Sequence, residues 1–159
     1  MIDAILAIKF VHVLFAAVML GGWLAVAAFM VLAHRSRNAS VIALVAQFAV
    51  RLELFIVAPA LLLLPVSGFP LAAIIGLRPV DEFWIVASVA VFAAVVVAWL
   101  GALRLEFLIR RAARKAALGG VRLAEGYPRL FRIWLALAMI VLAGMVVLVL
   151  LMVWQPRLD

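Results

Sequence analysis

Phe10-Val11-His12-Val13-Leu14-Phe15-Ala16-Ala17-Val18-Met19-Leu20-Gly21-Gly22-Trp23 opens an apolar stretch that runs on to Ala33, with His12 its only ionisable residue. A helix rises ~1.5 Å per residue, so crossing a ~30 Å hydrocarbon layer takes about 20 apolar residues. This stretch is long enough to cross. It is also too long for the apolar core of a cleavable signal peptide, and the next segment is again apolar, so it reads as a retained helix.

Working outward, three further stretches reach the same length. They run from Leu54 to Leu77 (broken by Pro59, Pro65 and Pro70), from Phe83 to Leu103, and from Ile133 to Trp154. None alternates in the manner of a lipid-facing barrel strand, and backbone groups in lipid must be paired within their own segment, so helices follow. The composition agrees: 72% of the 159 residues are hydrophobic, 13% are charged, and the mean hydropathy is +1.39. A soluble domain needs about 25% charged residues to clothe its core. The absence of cysteine excludes disulfides, thiolate metal sites and thioether-linked haem. The expected fold is all-α: one integral membrane domain over residues 1–159, a four-helix transmembrane bundle with spans near 4–33, 41–68, 83–109 and 130–155.

Basic residues set an orientation. Arg35, Arg37 and Arg51 flank the first connection. Arg104, Arg110, Arg111, Arg114, Lys115, Arg122, Arg129 and Arg132 fill the third, while the opposite side holds Lys9, Arg78 and Arg157. The positive-inside rule then predicts both termini outside and both basic connections cytoplasmic, in a bacterial cytoplasmic (inner) membrane. Trp84 and Trp154 would mark the outer headgroup level and Trp134 the inner one. Arg110 to Lys115 are expected to carry the third span into the cytoplasm as a helix ended by Gly119-Gly120. The net charge of +7 is thereby explained by topology and by anionic lipid at the cytoplasmic face, with no nucleic-acid role. Pro65-Val66-Ser67-Gly68-Phe69-Pro70 reads as a helix breaker that sends Leu71 to Leu77 along the outer surface.

Few residues are able to carry chemistry. His12 lies roughly 12 Å into the outer leaflet counted from Ala4. Helical spacing puts Lys9, Ala16, Met19 and Trp23 on its face, with Ala16 leaving space beside the imidazole. A neutral imidazole suits haem iron, and Lys9 is placed to pair with an anionic ligand group. The plainer role is a hydrogen bond to Ser88 or to a carbonyl freed by Pro59 or Pro65. His34, roughly 33 Å further along the same helix, is out of reach as a second ligand. At the depth of His12 the nearest candidates are Ser88 and Met152, so a haem would be five-coordinate, Met-ligated or shared across a dimer. Glu53, with Gln47 and Arg51 nearby, is expected to meet Arg104 or Arg132 in an interfacial network, the alternative being half of a proton or anion path. Gly21, Gly22, Gly101 and Gly144 read as points of close helix approach. Met139, Met145 and Met152 share no constant helical phase, which weakens a copper path.

Ile8-Lys9-Phe10-Val11-His12-Val13-Leu14 followed by Gly21-Gly22-Trp23 resembles the first helix of a superfamily that includes the HemJ-type protoporphyrinogen oxidases and the CopD-type membrane proteins. Over the whole chain, Ala58-Pro59-Ala60 through Pro65-Val66-Ser67-Gly68, and the ending Leu151-Met152-Val153-Trp154-Gln155-Pro156, look typical of a domain-of-unknown-function family of small predicted integral membrane proteins. In the HemJ-type proteins a first-helix histidine binds haem b, and His12 occupies the matching position. Their second ligand, a lysine just after a tryptophan at the start of the third helix, corresponds here to Ser88 in Trp84-Ile85-Val86-Ala87-Ser88. Serine is a poor iron ligand, so the resemblance implies haem binding through one ligand rather than porphyrinogen oxidation.

The expected function is therefore a haem b-binding membrane redox protein. His12 is its metal ligand, and Lys9, Ala16, Ser88 and Met152 lie about the cofactor. Two other readings stand beside it: a non-catalytic accessory or assembly subunit of a larger membrane complex, and a small metal or copper transport component using His12, Met19 and Met152. A homodimer would complete a lone histidine across a two-fold axis.

Overall fold

The computed structural model describes residues 2–156, so Arg157 lies outside the described residues. All regular structure there is helical: α1 (Ile2–Ser36), α2 (Ala39–Leu52), α3 (Ala58–Ile74), α4 (Phe83–Gly119) and α5 (Tyr127–Trp154). A single π-helical turn, Glu53–Val57, joins α2 to α3, so that Ala39–Ile74 is one continuous span. The described residues thus hold 4 helices long and apolar enough to cross a membrane, as expected from the apolar runs.

The α1–α2 turn is tight because its polar residues serve the backbone. Asn38 caps α2, its Oδ1 accepting from the Ser40 and Val41 amides at 2.9 and 3.3 Å. Arg37 takes the left-handed conformation (φ 53°), and Ser36 bonds back to the Ala33 carbonyl. Asn38→Ala should lower stability by about 1 kcal/mol, read from the midpoint of unfolding in mixed micelles. At the other end of the bundle Gly76 (φ 80°) turns the chain between α3 and α4. Gly120 (φ 61°) ends α4 as the Gly-Gly pair predicts, so α4 is helical well past Arg110–Lys115.

The expected break at Pro65–Pro70 does not occur. The helix passes through both prolines to Ile74, and no separate surface piece forms at Leu71–Leu77. In an apolar medium, unwinding would strand more carbonyls than the two that the prolines leave without an amide donor. The Ser67 hydroxyl supplies a local bond, reaching the Leu63 and Leu64 carbonyls at 2.8 and 3.0 Å. Pro59 is accommodated by the π turn before it, where the Ala58 amide bonds the Glu53 carbonyl five residues back.

Packing differs between the two ends. At the basic end α1, α2, α4 and α5 share one core built on Trp23, Met30, Ile42, Ile109 and Trp134. At the far end the closest backbone approaches are α1 with α3 and α4 with α5, while α3 meets α4 through Ala72 against Trp84 and Ile85. Accordingly α1 buries no described side chain before Met19, and α5 none after Met145. Small residues set the close approaches. A Cβ on Gly22 would lie 3.0 Å from Val57 Cγ2, one on Gly101 3.1 Å from Leu137 Cδ1, and one on Gly144 would run into Val95. Gly21 instead faces open space, so only the second glycine of the pair is a packing residue. Gly144→Ala should cost about 1–3 kcal/mol, because Val95 is 2% exposed and has nowhere to move. Measured beside it in mixed micelles, Gly21→Ala should cost nothing.

Candidate functional site

Two places in the bundle hold polar side chains away from water. The first is on the α1/α3 pair. His12 is half-buried, and its Nδ1 lies 2.9 Å from Ser67 Oγ. A hydroxyl has one proton, and Ser67 has the Leu63 and Leu64 carbonyls to give it to; with its proton there, its oxygen accepts from the imidazole. His12 therefore donates from Nδ1 and keeps the lone pair on Nε2. Gly68, having no side chain, lets the ring pack against α3: a Cβ there would sit 3.0 Å from His12 Cε1. Lys9 is exposed one turn away and Ala16 is half-buried on the same face. The other two expected residues lie on the α4/α5 pair. Ser88 is buried with its hydroxyl bonded to the Trp84 carbonyl at 2.6 Å, and Met152 is 41% exposed. The partner of His12 is thus Ser67, not Ser88.

The second place is at the basic end. Glu53, the first residue of the π turn, and Glu106 of α4 are both 0% exposed. The Trp99 indole donates to Glu53 Oε2, and the Trp134 indole donates to Glu106 Oε1 at 3.0 Å. The other oxygen of each carboxyl, Glu53 Oε1 and Glu106 Oε2, has no hydrogen-bond partner. The expected pairing of Glu53 with Arg104 or Arg132 is absent. Both arginines are exposed on the outer faces of their helices, as is Arg51, and the indoles take their place. Trp134 is consequently a buried donor rather than a headgroup anchor, and Trp84 is buried against Ala72 and Ile85. Trp154, by contrast, is 80% exposed at the end of α5.

His34 closes the basic end. Its ring stacks on Phe131 at 3.7 Å between centroids, and its Nδ1 lies 3.1 Å from the Tyr127 hydroxyl. Phe131 in turn abuts Trp134 at 5.5 Å, which carries the aromatic packing to the Glu106 carboxyl. Among the described residues no three His, Cys, Asp or Glu side chains gather to hold a metal ion.

A family profile covers residues 6–156 of this chain. The chain belongs to the DUF2269 family of predicted integral membrane proteins. That description agrees with four helices able to cross a bilayer. Neither a curated protein nor a solved structure matches the chain.

Within this DUF2269 chain, sequence reasoning missed three of the residues that matter. Ser67 and Gly68 fell inside a supposed breaker, although their spacing from Leu64 puts them on one helical face once the prolines are tolerated. Glu106 fell inside a supposed basic connection. Its signal was the seven-residue step from Trp99, which returns to the same face of a helix.

Proposed function

We propose that this membrane protein holds a haem b, with His12 Nε2 as axial ligand, and serves in electron transfer. The observation that carries the reading is the Ser67 hydroxyl on His12 Nδ1. A ligating imidazole almost always gives its second N–H to a fixed acceptor, which sets the tautomer and makes the ring a better donor to the metal. Gly68 lets the imidazole lie against α3, and toward this end α1 buries no described side chain before Met19 and α5 none after Met145. Haem, when bound, supplies one-electron exchange. The chain's own residues orient the imidazole, and Lys9 is placed to neutralise an anionic edge of the cofactor. Ser88 is spent on its own helix, so a second ligand comes from Met152, from a second copy, or not at all. The similarity to HemJ-type and CopD-type proteins belongs with this reading, as do outward termini, a bacterial inner membrane and anionic lipid along the Arg110–Lys115 stretch.

The test is an absorption spectrum of protein purified in mild detergent from haem-replete cells, oxidised and reduced. A Soret band near stoichiometric with protein is expected. Colourless protein that stays colourless when haem is added back overturns the reading. The unburied ends of α1 and α5 favour one second reading: a partner helix covers them, making the chain a non-catalytic subunit of a larger complex. Colourless protein that runs as a defined hetero-oligomer would speak for that.

A further inference from the structure

We propose that Glu53 and Glu106 form a buried cation-accepting site at the basic end of the bundle, loaded by a proton or by one small metal ion. This does not rest on the haem reading, since His12 lies on the other half of the bundle. Intramembrane acids are rare and mark ion or proton sites when they face a bundle interior. These two are the only acidic side chains that the described residues bury, and both are fully buried. Glu53 lies against Trp99 of α4, and Glu106 stands two helical turns further along that same face.

The second observation is the unpaired oxygens. Each carboxyl takes one neutral indole N–H and leaves its other oxygen, Glu53 Oε1 or Glu106 Oε2, with no donor. A role limited to anchoring the two indoles needs one acceptor per tryptophan and no more. A buried polar atom left bare costs about 1–3 kcal/mol, and more for a charged group. Two bare oxygens in one core therefore point to an occupant.

No described residue supplies a counter-charge to the pair. The side chains that α1 and α5 bury are all uncharged, Tyr127 being the only one of them able to ionise, and it faces His34. Half-buried His34 is separated from Glu106 by Phe131 and Trp134. Arg51, Arg104 and Arg132 lie near in sequence but are exposed, and the only salt bridge among the described residues, Arg78–Asp81, is on the far loop. The neutralising charge is then a bound cation rather than a described side chain. Glu53 also opens the π turn, a widened backbone element frequent at functional sites.

Glu53, Glu82, Glu106 and Glu125 are the only glutamates in the chain. Protein labelled with carboxyl-¹³C glutamate, in a Glu82→Gln/Glu125→Gln background and lipid nanodiscs, therefore reports this pair alone. It is titrated with acid, then at fixed pH with sodium, potassium, magnesium and calcium chlorides against equal N-methylglucamine chloride. The expected result is that both signals move together in one of these titrations. Adding Glu106→Gln should then shift the midpoint of the Glu53 signal at least threefold. Joint movement with acid alone identifies a proton, and joint movement with a metal salt identifies that ion. Two signals that move independently, with midpoints indifferent to the partner's removal, overturn the proposal. So do signals that move in no titration while circular dichroism stays helical. The joint movement is read with both glutamates intact, so misfolding of Glu106→Gln does not blunt the test.

Discussion

His12→Ala removes the Soret band of the purified protein, whereas Ser67→Ala retains a weakened one. The two substitutions act on one imidazole in different ways. The first deletes the nitrogen that meets iron. The second leaves it but frees the ring to rotate and to change tautomer, since Ser67 Oγ at 2.9 Å is its only side-chain hydrogen-bond partner among the described residues. Loss of such a supporting bond costs roughly 10–100-fold in metal affinity. The weakened band should therefore reappear at higher added haem with Ser67→Ala, and at no concentration with His12→Ala. His34→Ala is the control. Its ring is occupied by Phe131 and Tyr127 at the opposite end of α1, so the spectrum should be unchanged. A Soret band that survives His12→Ala, or vanishes with His34→Ala, would place the cofactor elsewhere.

The contrast between those two histidines shows how far the sequence could be read. Position along a helix is arithmetic, so the four spans and the separation of His12 from His34 follow from residue counts alone. Which face meets which neighbour depends on tertiary packing, and there the reading runs short. Proline is the clearest case. In water Pro65 and Pro70 would end a helix, but in lipid the carbonyls exposed by ending it cost more than the two lost bonds. Ser67 and Gly68 accordingly stay helical and come to rest on His12. Charge misled in a similar way. Arg104 and Arg132 mark the end of the apolar runs, and Glu106 beside them looks like part of a solvated connection. Helical periodicity turns the arginines out and the glutamate in.

Trp99→Phe should destabilise the bundle by about 2–3 kcal/mol, the largest loss expected of any conservative substitution at the basic end. Phenylalanine fills most of the indole's space, so the main change is the loss of the one N–H that Glu53 has. Glu53 then has neither oxygen paired while remaining fully buried. A hydrogen bond contributes about 0.5–1.5 kcal/mol net, and leaving a buried acceptor bare costs about 1–3 kcal/mol. Glu53→Met behaves differently. It removes the buried acid at similar volume, which is often neutral or favourable, and leaves only an indole N–H unsatisfied. Its net effect should stay within about 1 kcal/mol. The two substitutions share one hydrogen bond, so their effects do not add. Trp99→Phe made in the Glu53→Met background should cost at least ~1 kcal/mol less than in the parent. Unfolding titrations of the four proteins in mixed micelles measure this. Equal costs in both backgrounds would mean that Trp99 acts through packing alone. A reduced cost means that the bundle tolerates a buried carboxyl only while an indole holds it, and Glu106 with Trp134 should then repeat the pattern one step nearer the basic surface.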